Sequence, residues 1–511
     1  MTNLPLSSYP ALLVGLPILL AALSLFFRGN AKSLVGLTGC ILTAGMAFLS
    51  FTQVAQQGTV IHILGGWDPP LGIVLRMDAL AAVFIGMTAV IAVFISLYAW
   101  RYFRDRESGN DDFPLFWPLW LFLWGGLNGL FLSNDLFNLF VTLEVIGISA
   151  VALAVLSGKK TALSAGLRYL LAAITGSMAY LFGVALIYGS TGTLDLNLLG
   201  QTLEPGPTTT FSLLVITLGL MIKTASFPFH FWLPPAHSSA LAPVSAILSA
   251  LVVKGSFYIL LRLWMEVFGV SLTYAAGQLI GMAGAIAVIW GSWQAFMQSN
   301  LKLIVAHSSV AQIGYLLMVF PLLILQPGVN AESADWLSPA WTAVIYQVIA
   351  HAFAKASFFL SAGVIIMAVG HDRIESLRDL VGHMRITALA VGIAGVSLIG
   401  LPPSGGFMAK WMLLKGIFLS GQWWWAPVVL TGSLLTAGYV FMLLRLAFAP
   451  SRKKEPFRPV PKKLEVYALL LALGSFLIVL PADNLVQFLE SSDIFGSGIE
   501  PILEGGEHGN D

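Results

Sequence analysis

The sequence predicts an all-α polytopic membrane protein of about fourteen transmembrane helices, and three observations predict it. Of the 511 residues, 57% are apolar and only 10% are charged. The mean hydropathy of +0.85 is incompatible with a water-soluble surface. Apolar runs of the ~20 residues needed to cross a ~30 Å hydrocarbon core fill nearly the whole chain.

These runs place helices near 8–27, 33–51, 78–100, 113–132 and 134–156, then near 163–189, 211–237, 239–265, 272–297 and 302–325. The last four lie near 338–369, 386–420, 424–449 and 465–487. The first has no Lys or Arg before it and carries Arg28 and Lys32 after it, the reverse of a secretory signal, so it reads as an anchor. Loops bearing Arg101, Arg104 and Arg106; Lys159 and Lys160; Lys302; Arg373, Arg378 and Arg385; and Arg452, Lys453, Lys454, Arg458, Lys462 and Lys463 alternate with nearly bare ones. Arg76 and Arg262 are the main exceptions. The positive-inside rule then puts the basic loops in the cytoplasm and both termini outside, in a cell inner (cytoplasmic) membrane protein with an even number of crossings.

The single cysteine, Cys40, excludes a disulfide framework, a cysteine-ligated iron-sulfur cluster and any Cys-x-x-Cys site. None of the eight histidines stands in a His-Glu-x-x-His pattern. No metal or other cofactor is expected. The net charge of +1 gives no reason to expect nucleic acid as a partner, and no nucleophile-base pair or nucleotide loop points to an enzyme.

Lys223, Lys254, Lys355 and Lys410 remain inside apolar helices, with Lys415 nearer an edge, and Glu144 is the deep acid. A charge at the bilayer centre costs from ~2.5 to above 10 kcal/mol, so it persists mainly where it is paired, hydrated or functional. One such lysine can be a packing contact to a carbonyl or can snorkel to the interface. Four together mark a path for protons or small cations. Burial disfavours a charged lysine and a nearby carboxylate favours it, so Glu144 is the candidate counter-charge to Lys223. Asp135 begins the same helix as Glu144 and suits the N-terminal N–H groups. Gln347, His351 and Lys355 fall on one helix face at i, i+4, i+8, while His307 and Gln312 are polar positions in the preceding helix. His351 can be either an interhelical hydrogen-bond partner or a proton relay.

Phe227-Pro228-Phe229-His230 and Leu233-Pro234-Pro235 interrupt the seventh helix, and Gly400-Leu401-Pro402-Pro403-Ser404-Gly405-Gly406 interrupts the twelfth. Non-helical backbone at this depth needs protein or a hydrated cavity around it, and each break lies close to a lysine, Lys223 or Lys410. The breaks match if 113–265 and 272–449 are compared as five-helix units, and an odd number of helices per unit forces the second copy to be inverted. A simple proline kink in each helix is the alternative. The expected organisation is a three-helix segment (1–112), a first repeat (113–265), an inverted second repeat (272–449) and a final helix with a short acidic tail (450–511).

The motifs Thr142-Leu143-Glu144, Met221-Ile222-Lys223-Thr224-Ala225-Ser226-Phe227-Pro228, Trp232-Leu233-Pro234-Pro235-Ala236-His237 and Lys302-Leu303-Ile304-Val305-Ala306-His307-Ser308-Ser309 resemble those of the antiporter-like proton-translocating membrane subunits. That family includes subunits of respiratory complex I, of membrane-bound hydrogenases and of Mrp-type sodium/proton antiporters. The resemblance runs from about 70 to 450. It implies fourteen helices, an inverted pair of five-helix repeats and two discontinuous helices. It also implies roles: Glu144 and Lys223 as the charge pair, Lys254 as the connecting lysine, His351 and Lys355 as the relay, and Lys410 as the exit residue. Lys410 and an end soon after the fourteenth helix, without a long lateral helix, most resemble the Mrp D subunit. The resemblance implies a proton-translocating subunit of a multisubunit sodium/proton antiporter, working with other membrane subunits on protons and a monovalent cation. Two other functions are open: a redox-driven complex I-type or hydrogenase subunit, and a stand-alone organic-anion carrier, against which the spread of polar groups over six helices argues.

Overall fold

The computed structural model describes residues 9–104, 115–329, 333–450, 457–480 and 482–490. Arg106, Arg452, Lys453, Lys454 and the acidic tail beyond 490 lie outside the described residues. The structure begins with α1 (Tyr9–Ser24) and α2 (Gly29–Gln57). A two-stranded antiparallel hairpin follows, β1 (Val60–Ile63) on β2 (Val74–Met77), with Val60 opposite Met77. Apolar runs give no sign of this hairpin, because four-residue strands carry no transmembrane signal. Next come α3 (Ala79–Arg104), α4 (Phe116–Leu132), α5 (Leu136–Ala154), α6 (Lys160–Thr191) and the short α7 (Leu196–Thr202).

The first interrupted helix is α8 (Pro207–Lys223) followed by α9 (Leu233–Ser239). Then α10 (Ala242–Ile247) and α11 (Val253–Arg262) form one rod with π-helical turns at Leu248–Val252 and Leu263–Val267. Beyond it lie α12 (Tyr274–Met297), α13 (Leu301–Leu317), α14 (Phe320–Leu323), α15 (Leu337–Val369) and α16 (Leu380–His383). The second interrupted helix is α17 (Arg385–Ile399) with α18 (Gly405–Leu419). The chain closes with α19 (Ala426–Phe448), α20 (Lys462–Leu477) and α21 (Ala482–Glu490).

Among the described residues, nine helical segments are long and apolar enough to cross a bilayer, and four shorter apolar helices accompany them. The fold is thus the all-α polytopic bundle expected; fourteen crossings is a finer count than these lengths establish. The expected twelfth helix, 386–420, resolves into two pieces with Gly400–Ser404 between them.

Three local features place the polar groups. Gly176 and Gly219 let α6 and α8 touch backbone to backbone: a Cβ on Gly219 would lie 2.5 Å from the Gly176 carbonyl oxygen. That contact brings the end of α8 beside α5 and α6. The π turn at Leu248–Val252 shifts the register of the rod just before Lys254. Finally, α15 is covered by α10, α13, α17, α18 and α20, so Gln347, His351 and Lys355 lie at the centre of the bundle, all buried.

Candidate functional site

The first cluster forms where α8 stops. Lys223 is its last residue, after which Ala225 takes a left-handed φ of 54° and Pro228 offers no N–H. The Ile222 carbonyl freed by the break accepts from Trp232 Nε1 at 2.9 Å. Lys223 Nζ reaches Glu144 Oε1 at 3.1 Å and the Leu143 carbonyl at 3.3 Å. The Ser177 hydroxyl of α6 donates to the same Glu144 oxygen. The side chains differ in exposure, 7% for Lys223 and 29% for Glu144. The carboxylate opens on the outer face of α5, while the amine faces inward. Asp135 caps α5 by accepting from the Asn138 N–H at 2.7 Å, as its position led one to expect.

No hydrogen bond joins Lys223 to Lys254 among the described residues. Beside Lys223 lies a cavity of about 20 Å³, lined by Lys223, Trp232, Gly255 and Ser256 among others. One water needs roughly 10–15 Å³ of such space and several polar partners. The Ser256 hydroxyl is in turn bonded to Thr224 at 3.0 Å.

The second cluster is continuous. Lys254 Nζ donates to the Ser249 carbonyl at 2.5 Å, within the π turn. The Ser249 hydroxyl pairs with that of Ser309 at 2.9 Å, and Ser309 donates to the Val305 carbonyl at 3.1 Å. Lys355 Nζ donates to the same carbonyl at 2.9 Å and also bonds the Ser308 hydroxyl. Both ring nitrogens of His351 are buried and unpartnered, and the ring feels the charges of Lys254 and Lys355.

The third cluster follows on the face shared with Lys355. Gln347 Nε2 donates to Gln312 Oε1 at 2.8 Å, and Gln312 Nε2 donates to the Leu398 carbonyl at 3.3 Å. Lys410 Nζ donates to that carbonyl at 3.1 Å, to the Ile399 carbonyl at 2.8 Å and to Ser433 Oγ at 3.0 Å. It also stands 4.5 Å from the Tyr315 ring centroid. The break explains the contact. Where α17 ends, Gly400 turns left-handed (φ +86°) and leaves the last carbonyls without helical partners, at the negative end of the dipole. Lys410, two turns into α18, satisfies them.

Several expectations from the sequence are corrected by the packing. Lys302, counted as a loop residue, is buried in the first turn of α13, where its amine bonds the Ala240 carbonyl, the Ser238 carbonyl at 3.4 Å and Ser245 Oγ at 3.1 Å. Only tertiary packing brings the end of α9 over that turn. His237, buried with both ring nitrogens unpartnered, lies within electrostatic reach of Lys254, Lys302 and Lys355. Its place in the Trp232–His237 motif was a signal, but no charge partner was visible in sequence. Lys415 is exposed. Glu144 is not alone among acids: Asp78, Glu266 and Glu465 are more buried than it is, at or near helix ends that hydropathy scores as loop edges.

Arg76 and Arg262, the two exceptions to the charge asymmetry, share one cluster. Arg262 grips Asp78 with two bonds of 2.8 and 2.9 Å and reaches Glu266 at 2.6 Å. Arg76 reaches Asp78 at 2.8 Å and Glu266 at 3.2 Å. Burial pushes the Asp78 carboxyl up, but Arg262 and Arg76 outweigh it and hold the group well below the usual carboxylate range.

Comparison with known proteins gives consistent kinship. Residues 133–436 match the family described as NADH:quinone oxidoreductase/Mrp antiporter, TM. The chain is 33% identical to NADH-quinone oxidoreductase subunit N of Desulforudis audaxviator, covering 95% of this chain and 94% of the relative. It is 28% identical to the D subunit of the Na(+)/H(+) antiporter of Bacillus subtilis, covering 88% and 89%. Among solved structures, an archaeal membrane-bound sulfane sulfur reductase contains a chain that superposes with a TM-score of 0.85, at 26% identity and 96% and 97% coverage.

Proposed function

This chain belongs to the NADH:quinone oxidoreductase/Mrp antiporter transmembrane family, and on that premise we propose that it carries protons within a multisubunit cation/proton antiporter. The observation that supports this best is a pair of buried hydrogen-bonded groups on one face of α15, one joining Lys254 through Ser249 and Ser309 to Lys355 and the other joining Gln347 through Gln312 to Lys410. In the proposal, Glu144 and Lys223 form the charge pair that loads the file. Lys254, Lys355 and His351 pass the proton on, and Lys410 releases it. Water closes the two gaps, one at the small cavity lined by Lys223 and Ser256 and one between Lys355 and Gln347. We read 113–265 and 272–449 as the inverted repeats carrying the two halves, and the ends bearing Lys159, Lys160, Arg373 and Arg378 as cytoplasmic. The other membrane subunits supply the surface that covers Glu144.

A second reading, a subunit of a redox-driven proton pump, is favoured by the 33% identity to a quinone oxidoreductase subunit. The two readings part in vesicles holding the full assembly. A sodium gradient alone should drive proton movement if the antiporter reading holds. Proton movement that appears only when an electron donor and a quinone are supplied would replace it with the second.

A further inference from the structure

A recess of about 490 Å³ opens on the side of the bundle at the end that carries Lys159 and Lys160. It lies between α6, the start of α9 and the junction of α12 with α13, and none of its lining residues is acidic. Its polar lining includes Arg168, His230, His307, Gln298, Ser238 and Ser239. Arg168 is exposed, and its guanidinium has no carboxylate partner among the described residues. His230 Nδ1 and His307 Nδ1 are buried and unpartnered. None of these groups belongs to the file that joins Lys254 to Lys410.

Depth decides what can enter. Helix α6 has 32 residues and so extends ~48 Å at 1.5 Å per residue, well beyond the ~30 Å hydrocarbon core. Arg168 lies about two turns from its N-terminus, roughly 12 Å along the axis; with the ~18 Å excess shared equally between the two ends, its Cα stands ~3 Å inside the hydrocarbon boundary, from which a long guanidinium side chain reaches the headgroups. A free guanidinium there faces a concavity with a positive field, supplemented by the N-terminal end of the α6 dipole. Guanidinium groups bind phosphate through two parallel N–H bonds. Basic pockets between helices on the membrane face are suited to anionic headgroups. The rest of the lining fits the glycerol end of a lipid: Phe231, Pro234 and Leu303 give it an apolar wall.

We propose that this recess binds the phosphate of an anionic phospholipid, with Arg168 as its principal contact and the imidazole rings of His230 and His307, which line the recess, as further polar groups. The chemistry it recognises is a phosphate carrying net negative charge, which a free phosphate ion shares. The lipid is the source we assign, because the recess sets a guanidinium within reach of the headgroups beside an apolar wall of Phe231, Pro234 and Leu303.

The test uses the full chain purified with its accompanying subunits, in nanodiscs or mild detergent, and counts retained lipid by native mass spectrometry. With phosphatidylglycerol, one molecule should be held more tightly than the annular remainder, and phosphatidylcholine should be held at least about tenfold more weakly. Arg168→Gln should weaken phosphatidylglycerol retention by about tenfold, Arg168→Lys by less because the charge remains. Arg445→Gln, at an exposed arginine of α19, should leave it unchanged. Equal retention in wild type and Arg168→Gln would overturn the site. Binding of inorganic phosphate at the same site with no lipid retained would overturn the lipid assignment, and so would a density map showing a neighbouring subunit's side chains filling the recess.

Discussion

Two sets of buried charge share the rod formed by α10 and α11, and they are built on opposite rules. At the end of the rod, Arg262 meets Asp78 and Glu266 in a network of short bonds, with Arg76 joining from the hairpin. Two turns earlier on the same face, Lys254 meets the Ser249 carbonyl, and Lys355 a carbonyl and a hydroxyl. In the first set every cation has its carboxylate. In the second, neither lysine has one among the described residues, and the carboxylate that does meet a lysine is Glu144, paired with Lys223. A paired arginine is a fixed clamp, since it does not release its proton. An unpaired buried lysine is held only weakly in its charged form and can exchange a proton with its surroundings. The difference separates what holds the bundle together from what is available to work in it.

The largest expected effect breaks the clamp. Arg262→Met leaves Asp78 and Glu266 buried beside Arg76 alone, and removing one partner of a buried pair typically costs about 3–5 kcal/mol. Thermal unfolding in detergent should show a clear drop for this variant. Lys254→Met, by contrast, removes an unpaired charge from an apolar place and should leave stability level or raised. If Lys254→Met destabilised the protein as much as Arg262→Met, the distinction between the two sets would be wrong. The clamp also has a pH signature. Because the folded Asp78 carboxyl is depressed, its contribution is complete above the unfolded value near ~3.9 and is lost as pH falls below it. The melting temperature of the wild type should therefore keep this contribution down to about pH 4 and lose it in stronger acid, and Asp78→Asn should lack that part of the acid dependence.

The next effect concerns transport per folded molecule. Lys254→Met, Lys410→Met and Glu144→Ala should each lower proton movement in vesicles by at least about tenfold, equivalent to ~1.4 kcal/mol or more on the barrier, without loss of folded protein. Glu144→Asp should retain part of the rate. Lys254→Arg should restore charge but not turnover, because arginine keeps its proton. Normal turnover in Lys254→Arg would make that lysine a fixed charge like Arg262.

How far the sequence disclosed this contrast follows from what hydropathy can register. A lysine inside an apolar run is visible at once, so Lys223, Lys254, Lys355 and Lys410 stood out, and the proline-rich breaks beside two of them were equally plain. The i, i+4, i+8 spacing alone was enough to put Gln347, His351 and Lys355 on one face. What hydropathy cannot register is a charge at a helix end that packing later covers. Lys302, Asp78, Glu266 and Arg262 all fall there, and the hairpin that delivers Arg76 is too short to read. Arg168 escaped for a related reason: it lies near one end of the sixth apolar run, 163–189, where a long basic side chain can snorkel to the interface. The link through Ser249 and Ser309 was hidden because it depends on a π turn, a local register shift that no residue pattern announces.

The smallest effect tests whether the file is continuous beyond Lys355. Two glutamines stand between it and Lys410: Gln347, two turns from Lys355 and not hydrogen-bonded to it among the described residues, bonds Gln312, which shares the Leu398 carbonyl with the lysine amine. An amide side chain does not ionise, so it serves by holding hydrogen bonds or water in line and not by storing charge. Gln312→Leu should therefore slow proton movement only a few-fold, less than loss of any lysine, and Gln347→Leu should do the same. The double variant should be little worse than either single one, because both act on one link and residues in a shared network are not additive. Gln312→Glu is the sharper probe. It places a carboxylate near Lys410, giving the proposed exit lysine the kind of partner that Arg262 has. Transport should then fall further than in Gln312→Leu, since a matched carboxylate favours the protonated amine and delays release. A Gln312→Glu variant faster than Gln312→Leu would mean that a paired lysine works as well as an unpaired one, and the contrast between clamp and file would lose its physical basis.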